Sequence, residues 1–115
     1  MLPPLEVVGE STGDLLVVGW GGTLGHLDTA VREQQANGAK ISLAHFNYIK
    51  PLPSNTAEVF ANYKKIVVCE LNLGQFVGYL RDKMPQFQYA QFNKVQGLPF
   101  TIHELSAQFL KLIEE

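Results

Sequence analysis

The most constraining feature of the chain is an alternation: short, continuous β-branched runs take turns with segments of helical periodicity. Leu15-Leu16-Val17-Val18-Gly19-Trp20 is too short for a helix and continuous enough for a strand covered on both faces. Ile41 to Phe46 and Ile66-Val67-Val68-Cys69 have the same character. Tyr89 to Val95 alternates only in part and predicts a weaker strand. Leu5-Glu6-Val7-Val8 follows Pro3 and Pro4, which cannot donate to a central ladder, so this run belongs at a sheet edge.

Helical spacing fills the gaps. Leu24, Leu27, Ala30 and Val31 share one face, and Asn37-Gly38 supplies a left-handed stop. Asn72-x-x-Gln75 has the form of a capping box, followed by Leu73, Phe76, Val77, Leu80 and Met84 on one face and ended by Pro85. Thr101-x-x-Glu104 is a second box, ahead of Ile102, Leu105, Phe109 and Leu112. A shorter helix is expected from Ser54 or Asn55, with Val59, Phe60 and Tyr63 inward. Buried strands alternating with helices require a mostly parallel sheet covered on both sides. Lys50-Pro51-Leu52-Pro53-Ser54-Asn55 reads as a stiff connector, so residues 1–115 form one domain.

Composition removes several functions. About a third of the chain is Leu, Ile, Val or Phe, enough for one core without covalent staples. A net charge of −2 with no basic stripe excludes an electrostatic nucleic-acid binder. No apolar run approaches the ~20 residues that cross a bilayer, and the first residues lack a secretory signal, so no membrane partner is expected. A single cysteine, Cys69, excludes a disulfide framework and fits a reducing, cytoplasmic setting.

Chemistry, if present, should gather at the carboxyl ends of the parallel strands, where open α/β sheets meet ligands and partners. Those ends offer Gly21 and Thr23, His45 and Asn47, Glu70, Asn72 and Gln75, and Lys94 and Gln96 as a candidate interface edge. Gly19-x-Gly21 has the start of a dinucleotide fingerprint, but Leu24 stands where a third glycine belongs. No acid lies between Glu33 and Glu58 to hold a ribose, so a tight turn explains the glycines better. His26, His45 and His103 lack second ligands at metal spacing. Cys69 lies inside an apolar strand as a small hydrophobe. Glu70 ends a core strand, where its carboxylate must reach water or find donors. Without an evident acid/base partner it reads as interface or loop bracing, and no catalytic, cofactor or metal residue is expected in this chain.

Taken in order, Leu16-Val17-Val18-Gly19-Trp20-Gly21-Gly22-Thr23, His45-Phe46-Asn47-Tyr48-Ile49-Lys50-Pro51-Leu52-Pro53, Glu70-Leu71-Asn72-Leu73-Gly74-Gln75 and Lys94-Val95-Gln96-Gly97-Leu98-Pro99-Phe100 form a pattern. It resembles the carboxyl-terminal domain of the alpha subunit of 2-oxoacid:ferredoxin oxidoreductases, especially the 2-oxoglutarate type. The specific pieces are Glu-x-Asn-x-Gly-Gln and Lys-Val-x-Gly-x-Pro, and the resemblance covers nearly the whole chain. It implies a transketolase carboxyl-terminal-like fold: a three-layer α/β/α sandwich with a five-stranded, mostly parallel sheet and one antiparallel edge strand.

The same resemblance implies an assembly domain, itself inactive, of a thiamin diphosphate enzyme that decarboxylates a 2-oxoacid, forms acyl-CoA and CO2, and reduces ferredoxin. Thiamin diphosphate, Mg²⁺ and an iron–sulfur cluster would be held elsewhere, largely by a beta subunit, with CoA as co-substrate. The chain would then be a fragment of a longer alpha subunit, packed on the rest of that subunit. Family members commonly carry a basic residue where Asn47 stands and a serine where Gly22 stands, so contacts by those groups are not carried over. Two other readings compete: a stand-alone phosphate- or nucleotide-binding module, and the matching domain of a transketolase or of a 2-oxoacid dehydrogenase beta subunit.

Overall fold

A computed structural model describes residues 4–20, 24–46, 52–70, 75–93 and 100–115. Its elements are β1 (Val7–Val8), β2 (Gly13–Trp20), α1 (Leu24–Ala36), β3 (Ile41–Phe46), α2 (Thr56–Phe60), β4 (Tyr63–Glu70), α3 (Gln75–Lys83), β5 (Tyr89–Asn93) and α4 (Ile102–Glu114). They build a five-stranded sheet in the order β1-β3-β2-β4-β5. Only β1 runs antiparallel, pairing Val7 with Ala44 and Val8 with Leu43.

The strands' period of two sorts the core into halves. Leu16, Val18, Ala44, Phe46, Ile66 and Val68 face one side, where Phe60 of α2 and Phe76, Val77 and Leu80 of α3 cover them. Leu15, Val17, Ile41, Leu43, Val67 and Cys69 face the other, under Leu27, Ala30 and Val31 of α1 and Leu105, Phe109 and Leu112 of α4. Helices therefore cover both faces of the sheet. The expected three-layer sandwich with one antiparallel edge is the observed one.

Local signals explain most element ends. Gly38 adopts φ 92°, and the N–H of Ala39 bonds the Gln34 carbonyl at 3.0 Å while that of Gly38 bonds Gln35, the double closure of a left-handed helix stop. The Thr101 hydroxyl accepts the Glu104 N–H at 3.1 Å, so α4 begins as its box predicts. The Met84 N–H still bonds the Leu80 carbonyl at 2.7 Å before Pro85 ends α3.

Two expectations need correction. Tyr63 begins β4 instead of lying on the short helix, because the ladder reaches back to Gly13↔Tyr63 and Leu15↔Lys65. The charged entry to this strand is tolerated because Lys64 pairs with Asp14 at 3.2 Å and the Lys65 Nζ donates to the Leu112 carbonyl at the end of α4. Asn55 occupies the N-cap position of α2, where the short helix is expected to start, but its side chain makes no capping bond. Its carboxamide accepts the Leu5 N–H at 2.8 Å and donates to the Leu5 carbonyl at 3.0 Å, imitating a strand partner. The first run accordingly yields a ladder only at Val7–Val8, with Leu5 tied to Asn55 instead. In the fourth run the described strand is Tyr89–Asn93, and Lys94 and Val95 lie outside the described residues.

Candidate functional site

Strands β2 to β5 are parallel, so Trp20, Phe46, Glu70 and Asn93 all end at one edge of the sheet. His45 lies opposite Gly19, and Glu70 opposite Asn93. Val18 pairs with Val68, which brings Trp20 and Glu70 to the same level. His45 and Glu70 therefore share the edge at which β2 ends. Gly21, Thr23, Asn47, Asn72, Lys94 and Gln96 lie outside the described residues. Among the described candidates, Gln75 is the exposed first residue of α3 and His45 is half-buried.

Glu70 dominates the described edge. It is 1% exposed, and its two oxygens accept the backbone N–H groups of Phe76 at 2.8 Å and Val77 at 2.9 Å. These are the second and third residues of α3, the donors a helix leaves orphaned at its start. Glu70 thus caps the described start of α3, while Asn72, to which the sequence pattern gives that role, lies outside the described residues. A cap delivered from six residues upstream leaves no short-range signature in the sequence.

The same turn is locked by rings. Phe76 packs between Trp20, at 5.9 Å between centroids, and Phe46, at 5.2 Å. Such tilted and edge-on pairs contribute about 0.5–1.5 kcal/mol each beyond burial. One residue, Phe76, therefore joins α3 to β2 and β3 through its ring and to β4 through its amide.

Cys69, beneath Glu70, is 0% exposed. Burial pushes its thiol well above the ordinary range, and the charge of Glu70 adds to the shift, so it is unsuited to nucleophilic or ligand chemistry. Asn93, opposite Glu70, is half-buried with its Oδ1 sealed from water and without a hydrogen-bond partner. Sequence reasoning misses it, although a polar residue closing a strand is an available signal. His26 and His103 are exposed, on α1 and α4. Among the described residues no three His, Cys, Asp or Glu side chains could jointly hold a metal ion.

The opposite, amino edge holds a groove of about 470 Å³ lined by Gly9, Glu10, Thr12, Gln35 and Lys40 among others. Its buried polar groups serve the fold. The Gln35 Nε2 donates to the carbonyls of Val8 and Ile41, and the Ser42 Oγ and Tyr63 hydroxyl donate to that of Glu10.

No protein-family model matches the chain. It is 40% identical over 106 residues to the 2-oxoglutarate oxidoreductase subunit KorA of Mycobacterium tuberculosis, a match covering 90% of this chain and 16% of that protein. The chain thus spans about a sixth of the length of this relative. It superposes on a 2-oxoglutarate:ferredoxin oxidoreductase of Magnetococcus marinus, solved with 2-oxoglutarate, coenzyme A and succinyl-CoA bound. There the TM-score is 0.89 and the identity 27%, over 97% of this chain and 20% of that one. The alpha chain of a probable 2-oxoacid ferredoxin oxidoreductase from Thermoplasma acidophilum matches with TM-score 0.67 and 17% identity, over 97% of this chain and 98% of that one. A split-gene transketolase matches with TM-score 0.69 and 16% identity, over 95% of this chain and 41% of that one. The last two establish the fold alone. The chain is homologous to a segment of a 2-oxoglutarate oxidoreductase subunit and has a transketolase carboxyl-terminal-like fold.

Proposed function

We propose that residues 1–115 are an assembly domain of the alpha subunit of a cytoplasmic 2-oxoglutarate:ferredoxin oxidoreductase. The observation that carries this is the 40% identity to a 2-oxoglutarate oxidoreductase subunit along 90% of the chain. The superposition on the Magnetococcus marinus enzyme supports the same reading. The whole enzyme would use thiamin diphosphate, Mg²⁺ and an iron–sulfur cluster in a partner beta subunit to form acyl-CoA and CO2 and pass electrons to ferredoxin. This domain's part is mechanical. Its described core covers both sheet faces, and Glu70, a carboxylate of its strand-end edge, is consumed in bracing a helix. Such an edge suits packing on the rest of the subunit.

The test is a chimera in which this chain replaces the matching segment of the Mycobacterium tuberculosis subunit. The expected outcome is an assembled complex that reduces a dye acceptor when given 2-oxoglutarate and CoA. A chimera that folds but fails to assemble would overturn the assignment. The 115-residue chain alone should show no such turnover.

A further inference from the structure

We propose that Glu70 is a built-in anion that occupies the first turn of α3 and closes the Phe76 and Val77 amides to phosphate-bearing ligands. This deepens the assembly reading and rests on it: an edge meant for protein contact gains by having no vacant anion site. A helix start presents free N–H groups and a partial positive charge, and commonly takes a phosphate. Here two of these donors are spent, with one Glu70 oxygen on the Phe76 amide at 2.8 Å and the other on that of Val77 at 2.9 Å. The first turn of α3 contains no acidic residue, so the complementing charge comes from the strand end.

The carboxylate is also fixed in place. Val67, Val68 and Cys69 before it are fully buried, and Glu70 itself is registered against Asn93. The two backbone N–H groups of the helix end supply the charge-assisted hydrogen bonds to this carboxylate. An incoming phosphate would have to expel a buried carboxylate or bury a second anion against it, and like charges in one site repel strongly. The start of α4 differs, being capped by the neutral Thr101 hydroxyl.

The wild-type test follows the amide resonances of Phe76 and Val77 in the nitrogen-labelled chain, titrated with inorganic phosphate and separately with CoA. Neither ligand should give a saturable shift at these two amides. A saturable shift of both, with either ligand, would overturn the proposal. In Glu70→Ala the vacated pair should accept a replacement, so acetate should raise the thermal midpoint of the variant and leave the wild-type midpoint unchanged. A folded variant indifferent to acetate would also overturn it. If the variant does not fold, the wild-type titration decides. Failure of the chimera to assemble would leave these amide readouts untouched, so the two ideas fail separately.

Discussion

The Glu70 carboxylate stands 2.8 Å from the amide nitrogen of Phe76, and that bond ties the last residue of β4 to the first turn of α3. Because the Phe76 ring lies against Trp20 and Phe46, the contact also fixes the ends of β2 and β3. Glu70→Ala should destabilise the chain by about 2–4 kcal/mol, since it leaves two buried donors without a charged acceptor. Glu70→Gln should cost less, because one carbonyl oxygen can still accept one N–H. Urea unfolding measures both, and equal costs would show that charge has no part in the cap.

How much of this edge is legible in the sequence depends on range. Parallel strands, the edge position of the first run and the stop at Gly38 follow from patterns a few residues long, whereas the antiparallel sense of that run is implied only by the family resemblance; Gly38 does adopt a positive φ. Thr101 caps α4 as its box requires because donor and acceptor are three residues apart. Glu70 is recognisable as a carboxylate needing donors, but its donors lie six and seven residues away, beyond the reach of a short capping pattern. The pairing of Asn55 with Leu5 spans 50 residues and has no local signal. Tyr63 is hard to place because its neighbours Lys64 and Lys65 disguise the start of a core strand. Their compensating partners, Asp14 and the end of α4, are distant in sequence.

Cys69 should resist thiol reagents under native conditions, since it is wholly buried between β4's neighbours and the α1/α4 layer. Cys69→Ser should cost about 1–3 kcal/mol, because a hydroxyl buried there needs a partner the thiol does not demand. Labelling of the native chain as fast as that of the urea-unfolded chain would contradict the burial.

Two glycines should respond in opposite directions. Gly9 has φ 128°, and a Cβ there would stand 2.6 Å from both the Gln35 Nε2 and the Ser42 Oγ. Gly9→Ala should therefore lose about 1–3 kcal/mol through backbone strain and disruption of the bonds holding β1. Gly78 sits within α3, and a Cβ added there would meet nothing within 4 Å. Gly78→Ala should gain about 0.5–1 kcal/mol from helix propensity. Thermal or urea unfolding of the pair checks the signs, and destabilisation by Gly78→Ala would contradict the open environment.

Alkali should unfold the chain through two buried acids. The Tyr89 hydroxyl donates to the Met84 carbonyl at 2.9 Å, and burial pushes its pKa from 10.0 up to about 12. Burial, reinforced by the charge of Glu70, also raises the Cys69 thiol from its ordinary 9.0. In both cases the folded state holds its proton more tightly than the unfolded chain. The unfolded state therefore binds fewer protons, and stability falls with rising pH. The contribution of each group is full below its unfolded pKa, so loss should begin near pH 9 with Cys69 and steepen from pH 10 as Tyr89 joins, continuing to about pH 12. Cys69→Ala should remove the first part of this slope and Tyr89→Phe the second, even though each variant is less stable at neutral pH. Urea midpoints measured from pH 8 to pH 11 should therefore converge between each variant and the wild type as alkali is added. Parallel curves would mean that neither group titrates differently on folding.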